Sequence, residues 1–346
     1  MGIRSSYRYS ETVAVETWVF TSGSSDDGET VSRRLPVAPD DFGGFIVSPV
    51  PQHGTPSGDA VLTLNKYARD TGQDTQDVYT MYALEGLLAR LAASPYCDDF
   101  VLKGGVLLAA FAARRPTKDI DVRATRLDND IEAVSERFRE IVSMDLDDGL
   151  VFDPATIRGS MIREGDQYEG IRLRLQAMLG KARLFVGADV NFGDPIWPTP
   201  QVVTVPPIAN VRRKPIELPG YPLAMVVAEK VVTMMQRGEA NTRWRDFADV
   251  FTLEHMHSFE ADALRHSMSV TADHRGVLLI ALLPALADMP TRVQGKWAIW
   301  RAREERDLPE SFADVLQSIA AFIDPVIGSI NTFQTWDPQS QAWKES

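Results

Sequence analysis

At 346 residues with 44% hydrophobic content, the chain is long enough for one large domain or two medium ones, and for a sizeable core. Its single cysteine, Cys97, excludes an intramolecular disulfide framework and suits a reducing compartment, so the cytoplasm is the expected location. The net charge of −12 argues against a uniformly basic nucleic-acid binder, yet residues 101–245 hold 21 Lys and Arg against 19 Asp and Glu, leaving −14 for the remainder.

Residues 1–58 are rich in Gly, Ser, Pro and Asp and are expected to be extended or partly disordered. Charges at Arg4, Arg8, Glu11 and Glu16 break any apolar run that could serve as a secretory signal. The longest apolar run, Val277 to Ala287, contains Pro284 and is too short to cross a bilayer, so no membrane association is expected. From Leu62 the pattern turns helical, with Val78, Met81, Leu84, Leu87, Leu88 and Leu91 at helical spacing. "FVLKG" then reads as a strand, "VLLAAFAARR" as a buried helix and "KDIDVRA" as the next strand.

A second amphipathic helix is expected over residues 128–142, followed by alternating strands in "ATIRGSMIRE", "YEGIRLRLQAML" and "ARLFVGADVNFGD". Residues 223–251 read as a helical hairpin, and the pattern stays helical to about residue 329. The expected fold class is therefore α+β: a mixed sheet with packed helices over residues 59–215, a mostly helical domain over 216–330 and a loosely attached tail over 331–346.

Asp119 and Asp121 flank one isoleucine in a strand-like run, where aspartate is a poor strand former. Strand side chains alternate faces and rise about 3.3 Å per residue, so the two carboxylates leave one face side by side. Like charges held together in this way make sense as ligands of a cation that neutralises both. Magnesium, taking oxygen ligands and keeping positions open for phosphates, suits such a pair together with a third carboxylate on a later strand, Asp189. Asp189 reads equally as a turn cap before Asn191 and Gly193. Gly104-Gly105 would let the backbone approach a phosphate chain.

Arg172, Arg174, Lys181 and Arg183, and Arg212-Arg213-Lys214, each read as solvated surface; a groove collecting several would favour phosphate backbones. From periodicity alone, Lys230 and Asp246 are ordinary members of solvated helix faces. His255 and His257 match no zinc spacing and are expected to be structural, as are Trp297 and Trp300.

The ordered series "FVLKGGVLL", "RRPTKDIDV", "YEGIRLRLQAML", "ADVNFGD", "AEKVVTM" and "NTRWRDFADV", spanning roughly residues 62–255, resembles the AbiEii/AbiGii type IV toxin family, which includes the MenT toxins. That family is a branch of the DNA polymerase β-type nucleotidyltransferase superfamily. The resemblance implies that Gly104, Gly105, Arg115 and Thr117 line a nucleoside triphosphate site and that Asp119, Asp121 and Asp189 hold magnesium, as two ions, or manganese. It further implies that Lys230 meets the phosphates and that Asp246 orients Lys230 or moves a proton. The activity it implies is transfer of a nucleoside monophosphate to an RNA acceptor, the 3′ end of tRNA, with arrest of growth. The partner it implies is a cognate antitoxin, a separate DNA-binding repressor. A protein or small-molecule acceptor is the competing enzymatic reading, and a catalytically silent nucleotide-binding module the non-enzymatic one.

Overall fold

The computed structural model describes residues 52–163, 169–211, 214–304, 306–328 and 333–345, all within one compact unit. The extended segment expected over residues 1–58 lies outside the described residues up to residue 51, as does the Arg212-Arg213 pair. The last part of that expectation is corrected, because residues 56–58 already belong to helix α1 (Pro56–Thr71). The Thr55 side chain caps this helix by accepting from the Gly58 N–H, and Pro56 suits its first turn.

Helix α2 (Thr75–Ala93) is capped by the Asp74 carboxylate on the N–H groups of Gln76 and Asp77, and it buries the stripe that the spacing anticipates. Strand β1 (Phe100–Lys103), buried throughout, leads into the single turn α3 (Gly104–Leu107). The buried helix expected over "VLLAAFAARR" is cut short: the backbone tightens into a 3-10 turn over Leu108–Phe111 and leaves the helical region at Ala112, where φ is 56°. Pro116 disfavours helical geometry at Arg115. The chain must also reverse here, since strand β2 (Asp119–Ala124) runs antiparallel beside β1.

Helix α4 (Ile131–Val142) precedes strands β3 (Leu150–Arg163), β4 (Glu169–Leu179), β5 (Ala182–Asn191), β6 (Gln201–Val205) and β7 (Ile216–Gly220). Among the described residues, seven strands form one mixed sheet in the order β3-β4-β5-β2-β1-β7-β6. The antiparallel meander β3-β4-β5 brings β5 parallel to β2, with Asp121 registered opposite Asp189. On the other side of β1, Leu102 pairs in parallel with Gly220 of β7. The sheet thus runs past the boundary expected at residues 215 and 216, and one continuous core joins it to the helices that follow.

Those elements are α5 (Leu223–Arg237), α6 (Trp244–Met256), β8 (Phe259–Glu260), α7 (Ala261–Arg275), α8 (Leu282–Ala285), α9 (Met289–Arg301) and α10 (Phe312–Ile327). The overall class is the expected one, a mixed sheet with packed helices followed by a mostly helical region. The tail is not loose. Strands β9 (Gln334–Asp337) and β10 (Ala342–Glu345) join β8 in a small antiparallel sheet. Trp336 is buried and donates its indole N–H to the Glu254 carbonyl, while Trp343 donates to the Phe322 carbonyl. Burying these rings against Phe322 supplies the apolar contact that a polar tail would lack. His257 bonds the Phe111 carbonyl through Nε2 and Trp297 is buried, as the structural reading of both expects.

Candidate active site

Burial alternates along β2, with Ile120, Val122 and Ala124 in the core and Asp119, Asp121 and Arg123 on the opposite face. The D-x-D spacing therefore sends both aspartates to one side of the sheet. β1 ends at Lys103, opposite Asp121, and turns sharply at Gly104, whose φ of 66° suits glycine. A Cβ at Gly104 would stand 2.1 Å from the Asp121 Oδ2, so this position must be glycine for the carboxylate to sit where it does. The next N–H, from Gly105, donates to that oxygen at 3.4 Å. Thr117 and Arg115 pack behind Gly105, where an added Cβ would come within 3.1 Å of the Thr117 Oγ1 and 3.3 Å of the Arg115 Nη1.

Burial, and then the charge of the neighbouring Asp189, push the Asp121 carboxyl up to about 6, against a downward pull from Lys103 and the Gly105 N–H. Asp189 is itself gripped by a two-pronged fork: Arg172 donates through Nε at 2.9 Å and Nη2 at 2.6 Å. Asp119 accepts from the Arg174 Nη1 at 2.6 Å.

Lys230 reaches the same place from α5. The predicted helical hairpin is present as α5 and α6, but Lys230 lies on a buried face rather than a solvated one. Its Nζ donates to the Asp249 Oδ2 at 2.7 Å and to the Asp246 Oδ1 at 3.2 Å. Burial opposes its charge, yet Asp249 and Asp246 outweigh that and hold the ammonium above the ordinary lysine range. Asp246 also accepts from the Arg243 Nε at 2.8 Å. Asp249 gathers three cations, accepting from Lys230, from Arg115 at 3.0 Å and from Arg306 at 2.7 Å. Burial alone would raise the Asp249 carboxyl; these cations hold it well below the usual carboxylate range.

A cleft of about 630 Å³ opens between these groups, lined by Gly104, Gly105, Arg115, Asp121, Asp189, Lys230 and Asp246 among others. Of the residues singled out in the sequence, Asp119 and Thr117 do not line it: Asp119 is turned to Arg174 and Thr117 lies behind Gly105. Other charged groups line the cleft without having been singled out as site residues, among them Lys103, held at 2.6 Å by both Asp194 and Glu229. Its place directly before the Gly-Gly pair is the signal that could have found it. Asp249, one helical turn from Asp246, was legible in the same way; Arg306 left no local trace.

Asp121 and Asp189 suit a divalent cation, being adjacent, of like charge and open to the cleft. Among the described residues no group of three or more His, Cys, Asp or Glu is arranged to hold one together. Two of the three candidate carboxylates are instead engaged by arginines.

The family model for the AbiEii nucleotidyl transferase toxin of type IV toxin-antitoxin systems matches residues 86–320, and the chain belongs to that family. Among solved structures, the nucleotidyltransferase toxin MenT4 from Mycobacterium tuberculosis is similar at 16% identity, covering 81% of this chain and 92% of its own, with a TM-score of 0.49. A putative nucleotidyltransferase from Helicobacter pylori is similar at 15% identity, covering 72% and 95%, with a TM-score of 0.44. No curated protein matches the chain. Among the described residues, no helix is long and apolar enough to cross a membrane.

Proposed function

We propose that this toxin transfers a nucleoside monophosphate from an NTP to an RNA acceptor, the 3′ end of tRNA, and so blocks translation and arrests growth. The observation that carries this reading is the convergence of Gly104-Gly105, the Asp121–Asp189 pair and Lys230 on one cleft, whose volume of about 630 Å³ is in the range of small-molecule sites. The glycines allow the phosphate chain to approach the backbone. Lys230 sets a compact cation against the phosphates, with Asp246 and Asp249 fixing its position.

The acceptor hydroxyl attacks the α-phosphorus, the bond from that phosphorus to the bridging oxygen breaks, and pyrophosphate leaves; in this reading a carboxylate of the adjacent Asp121–Asp189 pair takes the hydroxyl proton. Asp121, Asp189 and, once released from Arg174, Asp119 would hold magnesium or manganese, which when bound supplies electrostatic stabilisation of the charge developing at phosphorus. Asp246, held between Lys230 and Arg243, orients the lysine.

The family implies a cognate antitoxin; in this reading it is a separate DNA-binding repressor, and the toxin acts in the cytoplasm. Incubating the protein with tRNA, magnesium and each labelled NTP in turn tests the proposal. Label on the tRNA 3′ end is expected, and label only on a protein or small molecule, or on nothing, overturns it.

A further inference from the structure

We propose that Arg172 and Arg174 are alternative partners to a divalent cation for the carboxylates of Asp189 and Asp119, and that, once displaced, they hold phosphates of the acceptor strand. This rests on the reading of the chain as a transferase acting on RNA.

The two arginines stand at alternate positions of β4 and so share a face, with Arg172 registered opposite Asp189 and Arg174 opposite Gly187. Arg172 closes its fork on Asp189. Arg174 reaches past Gly187 to Asp119 on the strand beyond, a path open only because position 187 has no side chain: a Cβ there would lie 1.8 Å from the Arg174 Nη1 and 2.5 Å from the Asp119 Oδ1.

The partners differ in freedom. The arginine side chains are 42% and 47% exposed, against 12% for Asp189 and 27% for Asp119. An exchange of partners therefore swings the arginines and leaves the carboxylates in place. The Arg174–Asp119 pair, joined through one donor and open to water, contributes little to stability, and in both pairs the arginine is the more exposed member, so a doubly charged cation can compete with it for the carboxylate. A freed guanidinium, Arg172 on the cleft wall and Arg174 two residues along the same strand face, keeps the planar fork that matches a phosphate. Neutralising the carboxylates by metal and releasing the arginines for phosphate are then one event. Metal and acceptor must raise each other's affinity by the same factor.

The test uses Mn2+ binding, followed by the electron paramagnetic resonance of the free ion, with no NTP present. A single-stranded RNA oligonucleotide serves as the acceptor probe, and Mn2+ bound by the strand alone is subtracted. In the wild-type protein the oligonucleotide should tighten Mn2+ binding by about fivefold or more. The double variant Arg172→Gln, Arg174→Gln should bind Mn2+ more tightly than wild type, bind the oligonucleotide more weakly, and lose the coupling. Unchanged or weaker Mn2+ binding in the variant overturns the proposal and leaves the arginines a purely structural role. Absence of coupling in the wild type overturns it without recourse to any variant. Because nothing turns over in this experiment, failure here leaves the transfer assay standing, and failure of that assay leaves the exchange intact.

Discussion

The Lys230 ammonium and the Asp249 carboxylate meet at 2.7 Å, with Asp249 fully buried and Lys230 nearly so, and this pair ties α5 to α6. Arg115 comes to Asp249 from the segment before β2, and Arg306 from the segment after α9. Removing the shared anion by Asp249→Ala leaves three cations without it in a buried setting. The expected cost is about 3–5 kcal/mol, read by urea unfolding. A loss below about 1 kcal/mol would mean that water or other acidic groups already neutralise these cations.

Lys230→Ala should weaken NTP binding and lower turnover by about a hundredfold or more, because phosphate charge then goes uncompensated in a partly desolvated site. Lys230→Arg should not restore full activity, since a planar fork cannot occupy the compact position between Asp246 and Asp249. Asp246→Asn keeps the shape of α6 and should reduce kcat more than it raises the dissociation constant of the NTP. Steady-state kinetics together with equilibrium nucleotide binding separate these outcomes.

Asp121 makes stability depend on pH in a defined direction. Its folded-state carboxyl is pushed up to about 6 from the ordinary 3.8, so the folded protein retains a proton that the unfolded chain has lost. Stability should fall as pH rises from 3.8 to about 6 and then level off, by roughly 3 kcal/mol at most. In chelator, Asp121→Asn should match wild type near pH 3.8 and melt higher than wild type above pH 6. Magnesium should raise the melting temperature of wild type more than that of the variant. Equal shifts in both would remove Asp121 from the metal site.

Glu254 carries the same signature away from the cleft. Burial pushes its carboxyl up to about 8, one oxygen accepts from the Ser318 hydroxyl at 2.6 Å and the other has no hydrogen-bond partner among the described residues. Because the folded form holds the proton, stability should fall as pH rises from 4.5 to about 8. Glu254→Gln should leave stability unchanged below pH 4.5 and raise it by several kcal/mol above pH 8. Thermal melts across that range decide; a pH-independent difference would show that Glu254 is ionised in the folded protein.

What sequence made legible was whatever local spacing controls. The D-x-D alternation put Asp119 and Asp121 on one face, the Gly-Gly pair marked the turn, and the helical hairpin came from its apolar stripe. Ion-pair partners were not legible. Arg172 meets Asp189 because β4 and β5 adopt one particular register, and Asp249 collects Arg306 from 57 residues away. The tail looked loose because the residues around Trp336 and Trp343 are mostly polar; their partner Phe322 lies in α10. After residue 215, β7 returns to the sheet through a single parallel bridge to β1, which no nearby residue announces.

The parallel pairing of β2 with β5 also sets the order in which the site can assemble. β3, β4 and β5 are sequence neighbours and can zip together locally, whereas Asp121 meets Asp189 only when β2 docks beside a strand 68 positions later in the chain. That docking seals Ile120 and Val122 into the core next to Ala188 and Val190, and the same motion presses two anions together. Hydrophobic closure thus loads an electrostatic spring, and in the proposed function its tension is what a bound divalent ion would relax.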